Sequence, residues 1–128
     1  MQISDAQYQA VIALPPAKRY SYCIRVMADQ AQAWALRDSG WATGSDDAGN
    51  RCFPLWPAER YARACAFGQW KTCVPCPIEV HALLDTNLPE LRRLGMLLAV
   101  FPTPVAGAAF PSFHQFESDL REELERIE

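Results

Sequence analysis

No apolar run in this 128-residue sequence approaches the ~18 residues that a membrane-spanning helix needs, so no membrane segment is expected. The opening residues, Met1-Gln2-Ile3-Ser4-Asp5, lack the basic and apolar regions of a secretory leader, which predicts a cytoplasmic location. No basic stripe is present, and that argues against nucleic acid as a partner. No glycine-rich phosphate loop is present either, so a nucleotide is not indicated. Histidine is scarce, with only His81 and His114. Internal repeats, low-complexity tracts and composition breaks are all missing, so residues 1–128 read as one domain.

What is there is an ordinary globular balance. Half the residues are hydrophobic and 21% are charged. A chain this long buries roughly two-thirds of its unfolded surface and needs no disulfide or metal to hold it. The five cysteines are odd in number and follow no leader, so reduced thiols are expected. The net charge of -3 is uneven. Residues 112–128 hold six acids against Arg121 and Arg126, which leaves the rest of the chain at +1.

The pattern along the chain predicts alternating elements. Ser4 with Gln7 fits a capping box that opens a helix from about Asp5 to Ala13. Pro16 suits the first position of a second helix, with Tyr20, Cys23, Ile24 and Met27 on its core face. Residues 34–38, 41–45 and 51–56 read as three strands of a meander, with turn formers at Asp46-Asp47-Ala48-Gly49-Asn50. Pro54 cannot donate to a ladder and should lie near an edge or strand end. Pro57 opens a third helix, with Glu59 and Arg63 placed to pair and Gly68 as a stop. Residues 73–80 are apolar but broken by proline, with a brief strand at 78–80. Leu83, Leu84, Leu88, Leu91 and Leu94 form a helical face that Pro89 should kink or divide. Met96 to Phe101 suits a buried central strand. Ser112 with Gln115 opens a last helix bearing Phe113, Phe116, Leu120, Leu124 and Ile127 in one stripe. The sum is a single layered α/β domain of α+β character, a mixed and mostly antiparallel sheet of about four to five strands with helices packed on it.

Several residues invite a chemical reading. Cys73-Val74-Pro75-Cys76 supplies two zinc ligands where a structural site needs four, and no helix begins there to activate a redox thiol. Cys76 and His81 could make a nucleophile pair, but no orienting acid or oxyanion loop accompanies them. No catalytic residue, metal or cofactor is therefore expected. Asp46, Asp47 and Asn50 do not match a calcium loop, yet loop tips on rigid scaffolds often recognise ligands. The four tryptophans at 34, 41, 56 and 70 are core candidates, with Trp41 and Trp56 also candidate binding anchors. Phe101-Pro102-Thr103-Pro104 follows the expected central strand, at the edge that ligands favour in open α/β sheets.

Taken together, Trp34-Ala35-Leu36-Arg37-Asp38-Ser39-Gly40-Trp41-Ala42, Asp46-Asp47-Ala48-Gly49-Asn50, Phe53-Pro54-Leu55-Trp56-Pro57 and Ala99-Val100-Phe101-Pro102-Thr103-Pro104 resemble the bacterial domain of unknown function 2750 family. The Leu14-Pro15-x3-Arg19-Tyr20 segment fits as well, and the likeness covers nearly the whole chain. The Cys73/Cys76 pair stands outside the pattern. The resemblance implies a stand-alone domain without an established activity. A weaker analogy connects the chain to the α/β domain of the enhanced-serine-sensitivity proteins.

These features predict a non-enzymatic protein-binding module of regulatory or immunity type, monomeric or homodimeric, with a basic protein as partner. The expected binding residues are Trp41, Asp46, Asp47, Asn50, Trp56, Phe101 and Thr103. The alternative is a small-molecule-binding or enzymatic domain with a pocket between the Phe101–Pro104 loop and the Asp46–Asn50 turn.

Overall fold

Short-range signals set the first two helices of the computed structural model, which describes residues 1–127. The Ser4 hydroxyl accepts from the Gln7 amide at 3.1 Å and starts α1 (Asp5–Ile12). The Gln7 side chain does not return to Ser4, as a full capping box requires; it donates to the Tyr22 hydroxyl at 3.2 Å. Pro16 takes the first position of α2 (Pro16–Gln30), which buries Cys23, Ile24 and Met27 and leaves Lys18, Arg25 and Asp29 exposed. Arg19 is buried as well, a charged residue that no apolar pattern announces.

The expected meander does not form. β1 (Gln32–Arg37) pairs antiparallel with β4 (Val74–Glu79), from Gln32 opposite Glu79 to Arg37 opposite Val74. β2 (Gly44–Ser45) pairs antiparallel with β3 (Arg51–Leu55), and β3 runs parallel to β5 (Leu97–Val100). The reason is pairing length. The Gly40–Ser45 stretch is short and glycine-containing and joins β3 at only two residues, whereas β4 offers β1 six. Longer pairing satisfies more backbone groups. Trp34 still exchanges both backbone hydrogen bonds with Trp56, at 2.8 Å each, and this bridge joins the two-stranded sheet to the three-stranded one.

Prolines determine which side of each strand is paired. Val80 N–H donates to Ala31 O at 3.0 Å, so the even residues of β4 direct their amides toward β1. Pro75 and Pro77 are odd, and their missing donors fall on the open edge. The stretch expected to be broken by proline is therefore a complete edge strand, blunted against pairing with a stranger. Likewise Phe101 N–H donates to Leu55 O at 2.8 Å, so the odd residues of β3 bond β5. Pro54 faces the other side, past the end of β2, where no ladder partner is needed.

The third helix, α3 (Glu59–Ala64), places Tyr61 and Ala62 in the core and pairs Glu59 with Arg63 on its surface. Between Val80 and Arg93 the chain stays helical but changes pitch. α4 (Val80–Ala82) leads into a π-turn at Leu83–Asn87, then α5 (Leu88–Arg93). Pro89 has no N–H for the Asp85 carbonyl, and the widened turn, closed by Leu88 N–H on Leu83 O, absorbs the misfit. Leu83, Leu84, Leu88 and Leu91 are buried as expected. Leu94 is 50% exposed, because Gly95 at φ 72° turns the chain away just after it. The Ser112 hydroxyl accepts from Gln115 N–H and opens α6 (Phe113–Ile127), whose Phe116, Leu120 and Leu124 close the core against α2. Glu128, counted in the acidic segment, lies outside the described residues. One continuous hydrophobic cluster draws on both sheets and on the helices, which makes this a mixed α+β domain. No described helix is long and apolar enough to cross a membrane.

Candidate functional site

The parallel β3–β5 pair places two family-pattern loops at either end of one sheet face, the 46–50 turn leading into β3 and the 101–104 segment leaving β5. Pro54 and Ala99 face each other in register and, with Cys52, form the floor of a cleft of about 530 Å³. One wall is the Gly44–Ala48 turn. Opposite it stand Pro102, Gly107, Ala108 and Phe110, while Gln69 and Trp70 line the cleft as well.

The first wall is rigid because Asp46 holds it. Its Oδ1 accepts from the amides of Ala48 at 3.0 Å and Asn50 at 2.8 Å, and its Oδ2 accepts from the Asn50 side chain at 3.0 Å. These bonds, the Asn50 side chain foremost, hold the Asp46 carboxyl below the usual carboxylate range. Gly49 at φ 84° completes the turn, a conformation that a Cβ would strain. Asp46 and Asn50 thus build the turn from within. Asp47 is exposed at the cleft, and among the described residues no group hydrogen-bonds to its carboxylate.

The second wall is fastened at three places. Val100 and Ala109 exchange backbone hydrogen bonds at 2.8 and 2.9 Å, closing the base of the loop. Thr103 Oγ1 accepts from Ala106 N–H at 2.9 Å and pins its tip. Arg19 reaches up from α2. Its Nε donates to Phe101 O at 3.2 Å, Nη1 to Leu14 O at 3.1 Å and Nη2 to Gly107 O at 2.6 Å. Phe101 sits at φ 58°, uncommon for a side chain of this size, and is 1% exposed. Its amide on Leu55 O and its carbonyl on Arg19 hold it there.

The tryptophans divide by role. Trp56 is fully buried beneath the cleft and donates its indole N–H to Pro102 O at 2.8 Å. Trp70 stands edge-on to it, with centroids 6.0 Å apart, and donates to Thr43 O at 3.0 Å. A Cβ at Gly44 would come within 3.3 Å of the Trp70 ring, so the glycine lets that wall close. Trp41 lies away from the cleft lining, against Phe53 and under the Arg37 guanidinium at 4.7 Å.

Of the expected binding residues, then, Asp46 and Asp47 line the cleft. Asn50, Trp56, Phe101 and Thr103 shape it, and Trp41 stands apart. Sequence reasoning passed over Arg19, Cys52, Trp70 and Phe110. Arg19 lay within the family pattern; Trp70 was visible only as one of four tryptophans; Cys52 and Phe110 carried no signal.

Three thiols near the site are held in the protonated form. Burial pushes the Cys52 and Cys73 thiols up and Cys65 to about 11, so each stays protonated near neutrality. Cys73 is buried and Cys76 lies on β4 opposite Ala35. Among the described residues no three His, Cys, Asp or Glu side chains gather as a metal site.

The family described as Protein of unknown function (DUF2750) matches residues 20–120, which span the whole cleft. The chain belongs to this family. No curated protein and no solved structure matches the chain. In this DUF2750 domain three of the segments that carry the family resemblance, 46–50, 53–57 and 99–104, meet around one cleft, the 34–42 segment lies away from its lining, and Arg19 fastens the 101–107 wall.

Proposed function

We propose that this DUF2750 chain is a binding domain, and that its recognition site is the cleft between the Gly44–Asn50 turn and the Pro102–Phe110 loop. One observation carries the reading: the turn before β3 and the loop after β5 both spend their own polar groups on rigidity, and together they enclose a cleft over one face of the parallel β3–β5 pair. Fixed walls reduce the ordering cost of binding. A volume of about 530 Å³ suits a small organic molecule. Asp47, Gln69, Trp70 and Phe110 are the side chains offered to it.

A thermal-shift screen of metabolites against the wild type and an Ala108→Trp variant tests this. Ala108 lines the cleft, and an indole there fills it. A ligand at a hundred times its Kd adds about 2.7 kcal/mol to the wild type. That gain should vanish in the variant. Stabilising ligands that ignore the substitution, or a screen without any, would count against the site.

A second reading, a regulatory or immunity-type module that docks a basic protein, draws on the exposed acids of α6, Glu122 and Glu125. The tryptophans do not help it, since Trp56 is buried and Trp34, Trp41 and Trp70 are half-buried. Glu122→Lys with Glu125→Lys should abolish capture of a basic partner by tagged protein. Unchanged capture would remove α6 from the argument.

A further inference from the structure

The charge of the cleft points to what it holds; this inference rests on the cleft being the recognition site. Asp46 and Asp47 are the only charged side chains among the described residues that line it, and both are acids. Lysine, arginine and histidine are missing from the lining. The two acids differ in what they can still do. The Asp46 oxygens already accept three hydrogen bonds from Ala48 and Asn50, so most of that carboxylate's acceptor capacity is spent inside the turn. Asp47 is exposed, and no described donor meets it. Much of the remaining lining is apolar or aromatic: Pro54, Ala99, Pro102, Ala108, Phe110 and Trp70. The floor thiol of Cys52 is itself engaged, donating to Asn50 O at 3.3 Å.

We infer that the ligand is a cationic amine attached to an apolar, preferably aromatic, body. The ammonium group lies at Asp47 and the body lies against Trp70, Phe110 and the prolines. An anionic ligand of the same shape meets two carboxylates and no basic side chain, so phosphate and carboxylate metabolites are disfavoured. A partly exposed ion pair of this kind contributes about a fivefold gain in affinity and weakens with salt.

Three probes of matched shape separate the possibilities: 2-phenylethylamine, 2-phenylethanol and 3-phenylpropionate, each titrated into isotope-labelled protein and followed by amide and indole resonances. The amine should shift Gln69, Gly107, Ala108 and the Trp70 indole, about fivefold more tightly than the alcohol, with the acid weakest. Asp47→Asn should remove the advantage of the amine and leave the alcohol unchanged. Asp47 is exposed and its carboxylate bonds no other described residue, so this variant should keep the fold. If the acid or the alcohol binds as tightly as the amine, or if Asp47→Asn preserves the gap, the cationic preference is overturned while the cleft stands. If none of the three moves those resonances, both the inference and the site beneath it are overturned.

Discussion

Arg19→Met removes a buried charge and keeps most of the side-chain volume, so it isolates what the guanidinium does. Arg19 is 2% exposed and, among the described residues, no carboxylate pairs with it. Its partners are three backbone carbonyls, those of Leu14, Phe101 and Gly107. Hydrogen bonds from a charged donor contribute about 1.5–3 kcal/mol each, on the order of 6 kcal/mol for three. Against this, burying a cation without a counter-charge costs several kcal/mol, and the variant is relieved of it. Leu14 and Gly107 lie nearer the surface, where water can replace the lost donors. Phe101 is buried, and its orphaned carbonyl costs about 1–3 kcal/mol. The net loss should be about 2 kcal/mol, or roughly 6–10 °C in melting temperature for a chain of this length. The effect should be local as well as global. Hydrogen exchange at Val100 and Ala109, whose amides close the loop, should accelerate more than exchange in β1. Arg19→Lys should fall between, because one ammonium cannot serve three carbonyls in three directions. A Met variant that melts with the wild type and leaves loop exchange unchanged would refute the claim that Arg19 holds the cleft wall.

Three further outcomes follow from the same geometry. Asp46 has its pKa lowered by the bonds that build its turn, so its contribution is fully present above the unfolded value near 4 and is lost as pH falls through the folded value. Asp46→Asn should therefore melt below the wild type near neutrality and converge with it as the pH falls below the unfolded carboxylate value; a gap that stays equal across the acid range contradicts this. Trp56→Phe deletes the indole donor to Pro102 O and leaves a small void, for a loss of about 2 kcal/mol read by chemical denaturation, with an unchanged midpoint as the contrary result. Pro75→Val with Pro77→Val restores two donors on the open edge of β4, so the variant should self-associate with concentration in light scattering, and a monodisperse monomer would show that the prolines do not guard that edge.

Much of the fold was legible because its signals are local. Ser4, Pro16, Gly95 and Ser112 mark helix ends through their own hydrogen-bonding and dihedral preferences, and those needs do not depend on distant parts of the chain. The apolar spacing in α2 and α6 likewise named Cys23, Ile24, Met27, Phe116, Leu120 and Leu124 as core. Strand partnership was not legible. Alternation in β1 shows that a strand exists, but the choice of β4 over β2 is decided by how many residues each partner can zip.

The candidate site divides along the same line. Composition and turn chemistry alone singled out Asp46–Asn50 and Phe101–Pro104, because glycine, aspartate and proline advertise bent backbone wherever they fall. That the two meet is a property of the tertiary structure. Only the parallel pairing of β3 with β5 sets the turn before β3 and the loop after β5 around one sheet face, and only the burial of Arg19 under Phe101 and Gly107 holds that loop in place. An isolated arginine on an amphipathic helix reads as solvated, since its burial depends on carbonyls that arrive from more than eighty residues away.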